Sequence, residues 1–160
     1  MKSKIIAFMG TGPEAGKTTA AKALSSNSTM TVSFASPVKS VACCLGWNGL
    51  KDEKGRKLLE DIGMAGRAYH PDAWVCQWFE TAEDVIGQVT HVLVDDCRFP
   101  NEVERIKALG GILVKISKKG TERPDLISEQ YMPDDSEFDF IIENEGTIEE
   151  FAAKVRELLV

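Results

Sequence analysis

The segment that most constrains the fold of this chain lies close to its N-terminus. An apolar run over 5–9 is followed by a loop with three glycines and then by a stretch with helical spacing over 17–24. This succession predicts a buried strand, a tight loop and a helix, which is the opening unit of an α/β fold with parallel strands. The loop and the first turn of the helix read Gly10-Thr11-Gly12-Pro13-Glu14-Ala15-Gly16-Lys17-Thr18-Thr19.

The rest of the 160-residue chain continues this alternation, which predicts five parallel strands in a single domain, residues 1–160. Pro37, Pro71 and Pro100 suit first helical positions, and Thr147 with Glu150 fits a capping box. The predicted strands are 5–9, 31–34, 91–94, 112–116 and 138–142. The predicted helices are 17–24, 37–45, 55–65, 71–86, 100–109 and 147–159.

Composition narrows the classes of partner. A net charge of -6 argues against binding to polymeric nucleic acid, which needs clustered Lys and Arg. No apolar run approaches the roughly 20 residues of a membrane span, and the first run is too short for a signal peptide, so we expect a cytoplasmic protein without a membrane partner. The cysteines lack metal-ligand spacing and are predicted to be packing residues: Cys43, Cys44, Cys76 and Cys97.

The second half of the glycine loop matches a phosphate-binding P-loop. In such a loop backbone N–H groups point at phosphates, a lysine reaches the β- and γ-phosphate oxygens, and the next hydroxyl ligates Mg²⁺. The leading glycine of the pattern is replaced by Thr11. A lysine at the positive end of a helix is unfavourable without a bound anion, which favours this interpretation over a plain glycine turn. The candidate nucleotide-binding residues are Gly12, Ala15, Gly16, Lys17, Thr18 and Thr19.

Two carboxylates, Asp95 and Asp96, follow the predicted strand 91–94. Ligands of open parallel sheets lie at the carboxyl ends of the strands, where P-loop proteins place the acidic residue that serves Mg²⁺. Asp95, Asp96 and Thr18 are therefore candidate metal residues, and the sequence leaves open which aspartate faces the metal. The alternative is a surface pair that caps a turn.

Phosphoryl transfer also needs cations that hold the acceptor and the transferred phosphate. Arg98 follows the aspartates by two residues, and Arg56 and Arg67 are eleven residues apart, which puts both on one face of a continuous helix. For Arg56, an i,i+4 pair with Glu60 is an equal alternative.

Two further segments carry open alternatives. The irregular stretch 117–137 contains Lys118, Lys119 and Arg123, which either close over phosphates as a lid or are solvated surface charges. The i,i+4 aromatic spacing of Trp74 predicts core packing, and the alternative is that Trp74 or Tyr69 stacks on a base.

Several blocks, taken in their order along the chain, resemble one known family, the phage-type deoxynucleoside monophosphate kinases of the P-loop nucleoside monophosphate kinase group. The resemblance spans nearly the whole chain, and its most specific block is Asp95-Asp96-Cys97-Arg98-Phe99-Pro100-Asn101-Glu102. The other blocks are Ala15-Gly16-Lys17-Thr18, Phe34-Ala35-Ser36-Pro37-Val38-Lys39, Gly55-Arg56-Lys57-Leu58-Leu59, Ile62-Gly63, Gly66-Arg67, Pro71-Asp72-Ala73-Trp74-Val75, Gly110-Gly111 and Asn144-Glu145-Gly146.

The resemblance implies a P-loop kinase fold, an α/β structure with a five-stranded parallel sheet flanked by helices, an acceptor-binding insertion at 36–87 and a lid at 117–137. It implies small-molecule nucleotide substrates, with ATP and Mg²⁺ used to phosphorylate a deoxynucleoside 5′-monophosphate, and it suggests a homodimer. Lys17 would stabilise the moving phosphoryl group, Thr18 and Asp96 would serve the metal, and Asn144 is a candidate adenine-side residue. The arginines that would hold the phosphates are Arg56, Arg67 and Arg98.

The chain also departs from the family pattern. Thr11 replaces the leading glycine, and the segment Ile127-Ser128-Glu129 lacks the histidine that usually introduces it. Two other functions stay open: a P-loop kinase for another small metabolite, and a non-catalytic NTP-binding switch. A switch would not need the three arginines together.

Overall fold

A computed structural model describes residues 2–122 and 130–159 of the chain. Within these residues one five-stranded sheet has the strand order β2-β3-β1-β4-β5. All neighbouring strands are parallel, which confirms the predicted α/β sheet. The strands are β1 Lys4–Gly10, β2 Thr29–Thr31, β3 His91–Val94, β4 Ile112–Ser117 and β5 Phe140–Glu143.

All six predicted helices are present, and three of them lie in the connection between β2 and β3. The helices are α1 Lys17–Leu24, α2 Ala35–Cys44, α3 Glu53–Tyr69, α4 Ala73–Val85, α5 Pro100–Ala108 and α6 Ile148–Arg156. Short 3₁₀ turns cover Asp135–Glu137 and Glu157–Leu159. The three-helix connection overlaps the predicted insertion at 36–87, whose role in acceptor binding stays a prediction.

Helix ends follow the expected chemistry at α5 and α6. Pro100 begins α5, and Gly110 adopts a φ of 70° just after it, a conformation that favours glycine. Thr147 accepts a hydrogen bond from the Glu150 N–H at 3.2 Å, while the Glu150 carboxylate accepts one from the Thr147 N–H at 2.8 Å. The predicted capping box is therefore confirmed.

The predictions for Pro37 and Pro71 as first helical residues are wrong. The helix α2 begins two residues before Pro37. The reason is that the Asp96 carboxylate, in the loop after β3, accepts hydrogen bonds from the N–H groups of Phe34 and Ala35 and caps the helix there. Pro71 precedes α4, because a turn in which the Ala73 N–H donates to the His70 carbonyl holds it in the loop.

Two strands are displaced along the chain from their predicted positions. The strand β2 ends at Thr31 instead of residue 34, because Phe34 already has helical dihedral angles and stacks on Trp78 with ring centroids 4.6 Å apart. The strand β5 begins at Phe140 instead of residue 138, because Phe138 leaves the 3₁₀ turn and is buried in the core.

The core lies on both faces of the sheet. Side chains of β1 alternate, so that Ile6 and Phe8 pack with α1 and α6 while Ile5, Ala7 and Met9 pack with α4 and α5. Because both faces are covered, the central strands are continuous apolar runs instead of alternating ones. The site lies at the ends of β1 and β3, two strands whose side chains belong to this core.

The cysteine prediction holds for one residue only. Cys97 is buried, and burial raises the pKa of its thiol well above the ordinary value. Cys43, Cys44 and Cys76 are exposed, so the prediction of packing roles is wrong for these three, which lie on outward faces of α2 and α4. No helix in the described ranges is both long and apolar enough to cross a bilayer.

Candidate active site

The glycine loop joins the end of β1 to the start of α1. Gly16 has a φ of 111°, which a side chain rarely adopts, and it turns the chain into the helix. The Lys17 ammonium group donates a hydrogen bond to the Gly12 carbonyl at 2.8 Å, and only 7% of the residue is exposed. The structure therefore brings the predicted residues Gly12, Ala15, Gly16 and Lys17 together, with the ammonium folded over the loop.

Asn144, which follows β5, is hydrogen-bonded to the loop. Its Nδ2 donates to the Ala15 carbonyl at 2.8 Å, and a Cβ on Gly16 would lie 2.6 Å from the same nitrogen. Both the left-handed conformation and this close approach require glycine at position 16. The contact of Asn144 with adenine stays a prediction, whereas its bond to the loop is a role that sequence reasoning missed.

Thr11, which replaces the expected glycine, ties the first turn of the loop to the segment after β4. Its N–H donates to the Ile116 carbonyl at 3.1 Å, and its hydroxyl accepts from the Lys118 N–H at 3.1 Å. The same hydroxyl shares a hydrogen bond with the Thr121 hydroxyl at 3.1 Å. A Cβ on Gly12 would lie 1.6 Å from the Thr121 carbonyl oxygen, so glycine is required where these segments cross.

The two aspartates after β3 differ in their partners. The Asp95 carboxylate accepts hydrogen bonds from Thr18 at 3.4 Å and from Ser33 at 2.8 Å. Asp96 uses both oxygens to accept backbone N–H groups of α2, at 2.9 and 2.8 Å. Burial raises the pKa of Asp96, while these N–H groups lower it. Asp95 is therefore the carboxylate beside the loop hydroxyl, and Asp96 acts as a cap for α2.

Thr18 is exposed at the start of α1, and the neighbouring Thr19 is half-buried. The described residues contain no group of three or more His, Cys, Asp or Glu side chains that could hold a metal ion. A Mg²⁺ site needs no such group, because Mg²⁺ keeps several waters and binds through one or two carboxylates plus substrate phosphates. Thr18 and Asp95 fit that description.

Glu102 is a buried acid in the first turn of α5. Its Oε2 accepts from the N–H groups of Arg98 at 2.7 Å and Phe99 at 3.1 Å, and its Oε1 accepts from the Arg67 guanidinium at 3.3 Å. Only 3% of its side chain is exposed, and burial raises its pKa to about 7. Sequence reasoning missed this role, although an acid in the first turn of a helix is the usual signal for capping.

Glu102 thus binds Arg67 through the guanidinium and Arg98 through the backbone N–H alone. The Arg67 guanidinium carbon lies 3.8 Å from the centroid of the Phe99 ring, a cation–π arrangement. Burial lowers the pKa of Arg67, while Glu102 raises it and the positive charge of Arg98 lowers it further. The charge of Arg98 also lowers the pKa of Asp96.

Arg56 lies on the same helix as Arg67 but not in this cluster. It is exposed, and its Nε donates to the Lys51 carbonyl at 2.8 Å. Among the ion pairs formed by described residues, none joins Arg56 to Glu60, so the alternative of an ordinary i,i+4 pair is not realised.

Burial decides between core packing and base stacking for Trp74. Trp74 is buried, its indole N–H donates to the Gly63 carbonyl at 2.8 Å, and a Cβ on Gly66 would lie 2.4 Å from its ring. Trp74 therefore packs α4 against α3, as its spacing predicts, and is not available to stack on a base. Tyr69 is 92% exposed.

The predicted lid is only partly covered by the described residues. Lys118 and Lys119 are exposed, and Lys119 pairs with Glu145 at 3.7 Å. Arg123 and the segment Ile127-Ser128-Glu129 lie outside the described residues. The lid at 117–137 stays a prediction.

Comparison with known proteins supports both the fold and the resemblance. No family model matches the sequence. A protein of Acanthamoeba polyphaga mimivirus, described as "Putative deoxynucleotide monophosphate kinase", is 37% identical over 70 residues, 40% of this chain and 34% of that protein. The deoxynucleotide monophosphate kinase of Escherichia phage RB69 is 32% identical over 108 residues, 65% of this chain and 44% of that protein. The chain matches less than half the length of either relative.

A structural comparison covers almost the whole chain. A crystal structure described as a "putative kinase" from Chloroflexus aurantiacus superimposes with a TM-score of 0.55 and 14% identity, over 99% of this chain and 97% of that one. At this identity the likeness concerns the fold alone. The predicted P-loop kinase fold is confirmed, and the similarity in sequence to deoxynucleotide monophosphate kinases agrees with the family resemblance.

Proposed function

We propose that this chain is a nucleotide kinase that transfers the γ-phosphoryl group of ATP to a deoxynucleoside 5′-monophosphate. One observation carries the proposal: the chain just after β3 holds Asp95, which accepts from the P-loop hydroxyl of Thr18, and Arg98, whose backbone N–H donates to the Glu102 carboxylate that also binds the Arg67 guanidinium. A phosphate donor and a phosphate acceptor both need cations, and this arrangement supplies them on two sides. The names of the two curated relatives support the same activity.

The loop residues would hold ATP through backbone N–H groups and the helix N-terminus. Thr18 and Asp95 would hold Mg²⁺, which would supply positive charge against the charge that develops on the phosphates. Lys17 would leave the Gly12 carbonyl for the phosphates, and Asp96 would keep β3 and α2 in position. This assigns the metal-side role to Asp95 and a positioning role to Asp96.

The chemistry needs positioning more than proton transfer. The P–O bond between the γ-phosphorus and the β-phosphate oxygen breaks, an acceptor phosphate oxygen forms the new P–O bond, and ADP leaves. An acceptor phosphate is already ionised at neutral pH, so no strong general base is required. Arg67 and Arg98 would hold the acceptor and the transferred group, with Arg56 recruited from the exposed end of α3. The remaining parts of the proposal are the insertion at 36–87, the lid at 117–137, a homodimer and a cytoplasmic location.

The test is ADP formation from ATP and Mg²⁺ with each common ribo- and deoxyribonucleoside monophosphate, against a control without acceptor. Stimulation by one or more deoxynucleotides supports the proposal. If ATP binds but no monophosphate increases turnover, the proposed reaction is wrong, and a kinase for another metabolite or a binding module takes its place. Light scattering after size-exclusion chromatography tests the homodimer.

A further inference from the structure

A cavity of about 330 Å³ opens beside the acceptor side of the site. It lies between the end of α3, the loop before α4, the start of α5 and Tyr131. Its lining includes Met64, Arg67, Asp72, Phe99, Asn101 and Tyr131. Pockets of this volume bind small molecules, and the apolar and aromatic lining suits a flat ring.

One of the lining side chains, Arg67, is cationic. Arg67 is held there by Glu102 at 3.3 Å and by the face of Phe99. The bond to Glu102 uses one of the five N–H groups of a guanidinium, so the same side chain can also contact phosphate. The Phe99 ring continues to Tyr131, whose ring centroid is 5.8 Å away. The lining thus combines a guanidinium with two neighbouring aromatic rings.

The lining also includes the Asp72 carboxylate, which has an unusual arrangement. Asp72 is the N-cap residue of α4, yet its side chain accepts no hydrogen bond from the helix. Its Oδ1 instead accepts from Asn101 Nδ2 at 2.8 Å, and the same nitrogen donates to the Pro71 carbonyl at 3.0 Å. An aspartate at an N-cap normally stabilises its helix, so Asn101 holds this one away from its usual role and at the cavity.

Both hydrogens of the Asn101 amide are used by these two bonds, and its Oδ1 accepts from the Glu102 N–H at 3.1 Å. Asn101 therefore orients the carboxylate and offers no further N–H of its own. The Asp72 carboxylate is therefore the group of this pair that can contact a bound ring. An ionised carboxylate only accepts hydrogen bonds.

We propose that this cavity binds the base of the acceptor nucleotide and that Asp72, oriented by Asn101, selects guanine. Guanine carries two adjacent donor groups, N1–H and N2–H₂, which match the two oxygens of a carboxylate. Adenine and cytosine place an acceptor nitrogen beside their amino group, and thymine flanks its single N–H with carbonyls, so each would set a lone pair against Asp72. A site with an oriented polar group rejects a base that leaves the group unpaired more strongly than an apolar pocket could.

This inference rests on the proposed function for the identity of the acceptor, but its test is independent of turnover. Binding of dGMP, dAMP, dCMP and dTMP is measured by titration calorimetry without ATP, and kcat/KM is measured for the same four compounds. We expect dGMP to be preferred by at least about tenfold in binding. Asp72→Asn should remove most of that preference while changing the binding of the other three by less than about threefold.

Asp84→Asn is the matched control, because Asp84 is an exposed aspartate on the same helix and is not among the cavity-lining residues. A second variant, Asn101→Ala, leaves Asp72 in place but unoriented and should lower the preference for dGMP less than Asp72→Asn does. Thermal melting of each variant confirms that it is folded.

The outcomes separate the two proposals. Equal binding of the four nucleotides, or an equal loss for all four in Asp72→Asn, overturns the assignment of Asp72 even if the protein is an active kinase. A dGMP preference that depends on Asp72, without phosphorylation of any acceptor, supports the assignment and overturns the proposed reaction.

Discussion

The two sides of the candidate site are built in different ways. On the proposed donor side, the loop residues are contiguous in sequence, and hydrogen bonds from Asn144 and to Thr11 support the loop. On the proposed acceptor side, the Arg67 side chain from α3 and the backbone N–H groups of Arg98 and Phe99 meet at one buried carboxylate, Glu102 of α5. A contiguous backbone loop depends on a few glycines, whereas a set of distant side chains depends on the buried group that holds them.

The largest expected effect is on the donor side. Lys17→Ala removes the ammonium group that we propose reaches the transferred phosphoryl group, and we expect kcat to fall by about a thousandfold or more. The melting temperature should change little, because the loop conformation rests on glycine and Asn144. Steady-state kinetics and thermal melting measure the two quantities.

Lys22→Ala is the control for this variant, since Lys22 is an exposed lysine in the last turn of the same helix. Its kinetics should match those of the unaltered protein. An unchanged rate in Lys17→Ala would remove the P-loop assignment and with it the contrast between the two sides.

The difference between the sides also explains what could be predicted from sequence. The donor loop was found because the spacing of Gly16, Lys17 and Thr18 between a strand and a helix is itself the signal. Glu102 was not, since nothing local reveals that Arg67, 35 residues earlier, ends beside it. For the same reason the residue pattern alone left the two aspartates equivalent, and the family resemblance gave the metal role to Asp96. Only the meeting of β3 with α1 and α2 makes Asp95 a partner of Thr18 and Asp96 a cap, so the proposed metal role moves to Asp95.

The second prediction concerns the stability of the acceptor side. Burial raises the pKa of Glu102 from its ordinary value of 4.5 to about 7. Between these two pH values the folded protein keeps a proton that the unfolded chain has lost. The resulting stabilisation is fully present below the unfolded pKa and is lost as the pH rises through 7. We expect the free energy of unfolding to fall by on the order of 3 kcal/mol from this group between pH 4 and pH 8.

Urea unfolding at a series of pH values measures this effect by comparison with Glu102→Gln, which cannot titrate at this position. Subtracting the two curves removes the contribution of other groups. Parallel curves would mean that Glu102 ionises normally and that the acceptor side is not built around a desolvated carboxylate.

The third prediction tests whether Glu102 positions Arg67 for the acceptor. In Glu102→Gln the charge that holds the guanidinium is lost, and we expect the KM for the acceptor nucleotide to rise about tenfold while the KM for ATP changes by less than twofold. Glu104→Gln, an exposed acid on the same helix, is the control and should behave like the unaltered protein. Equal increases in both KM values would show that Glu102 supports the whole site instead of its acceptor side.

The smallest expected effect tests whether the donor loop is as self-contained as its contiguous sequence indicates. Thr11→Gly restores the usual glycine but removes the hydroxyl that accepts from Lys118 N–H and shares a hydrogen bond with Thr121. We expect a loss of about 1 kcal/mol in the free energy of unfolding from the missing hydrogen bonds, with an added cost from the flexibility of glycine. Thr11→Ser keeps the hydroxyl and should be nearly neutral.

If Thr11→Gly is as stable as Thr11→Ser, the loop does not depend on the segment after β4, and the donor side is self-contained. If only Thr11→Gly is destabilised, this side too depends on a distant side-chain contact, and the contrast with the acceptor side is one of degree.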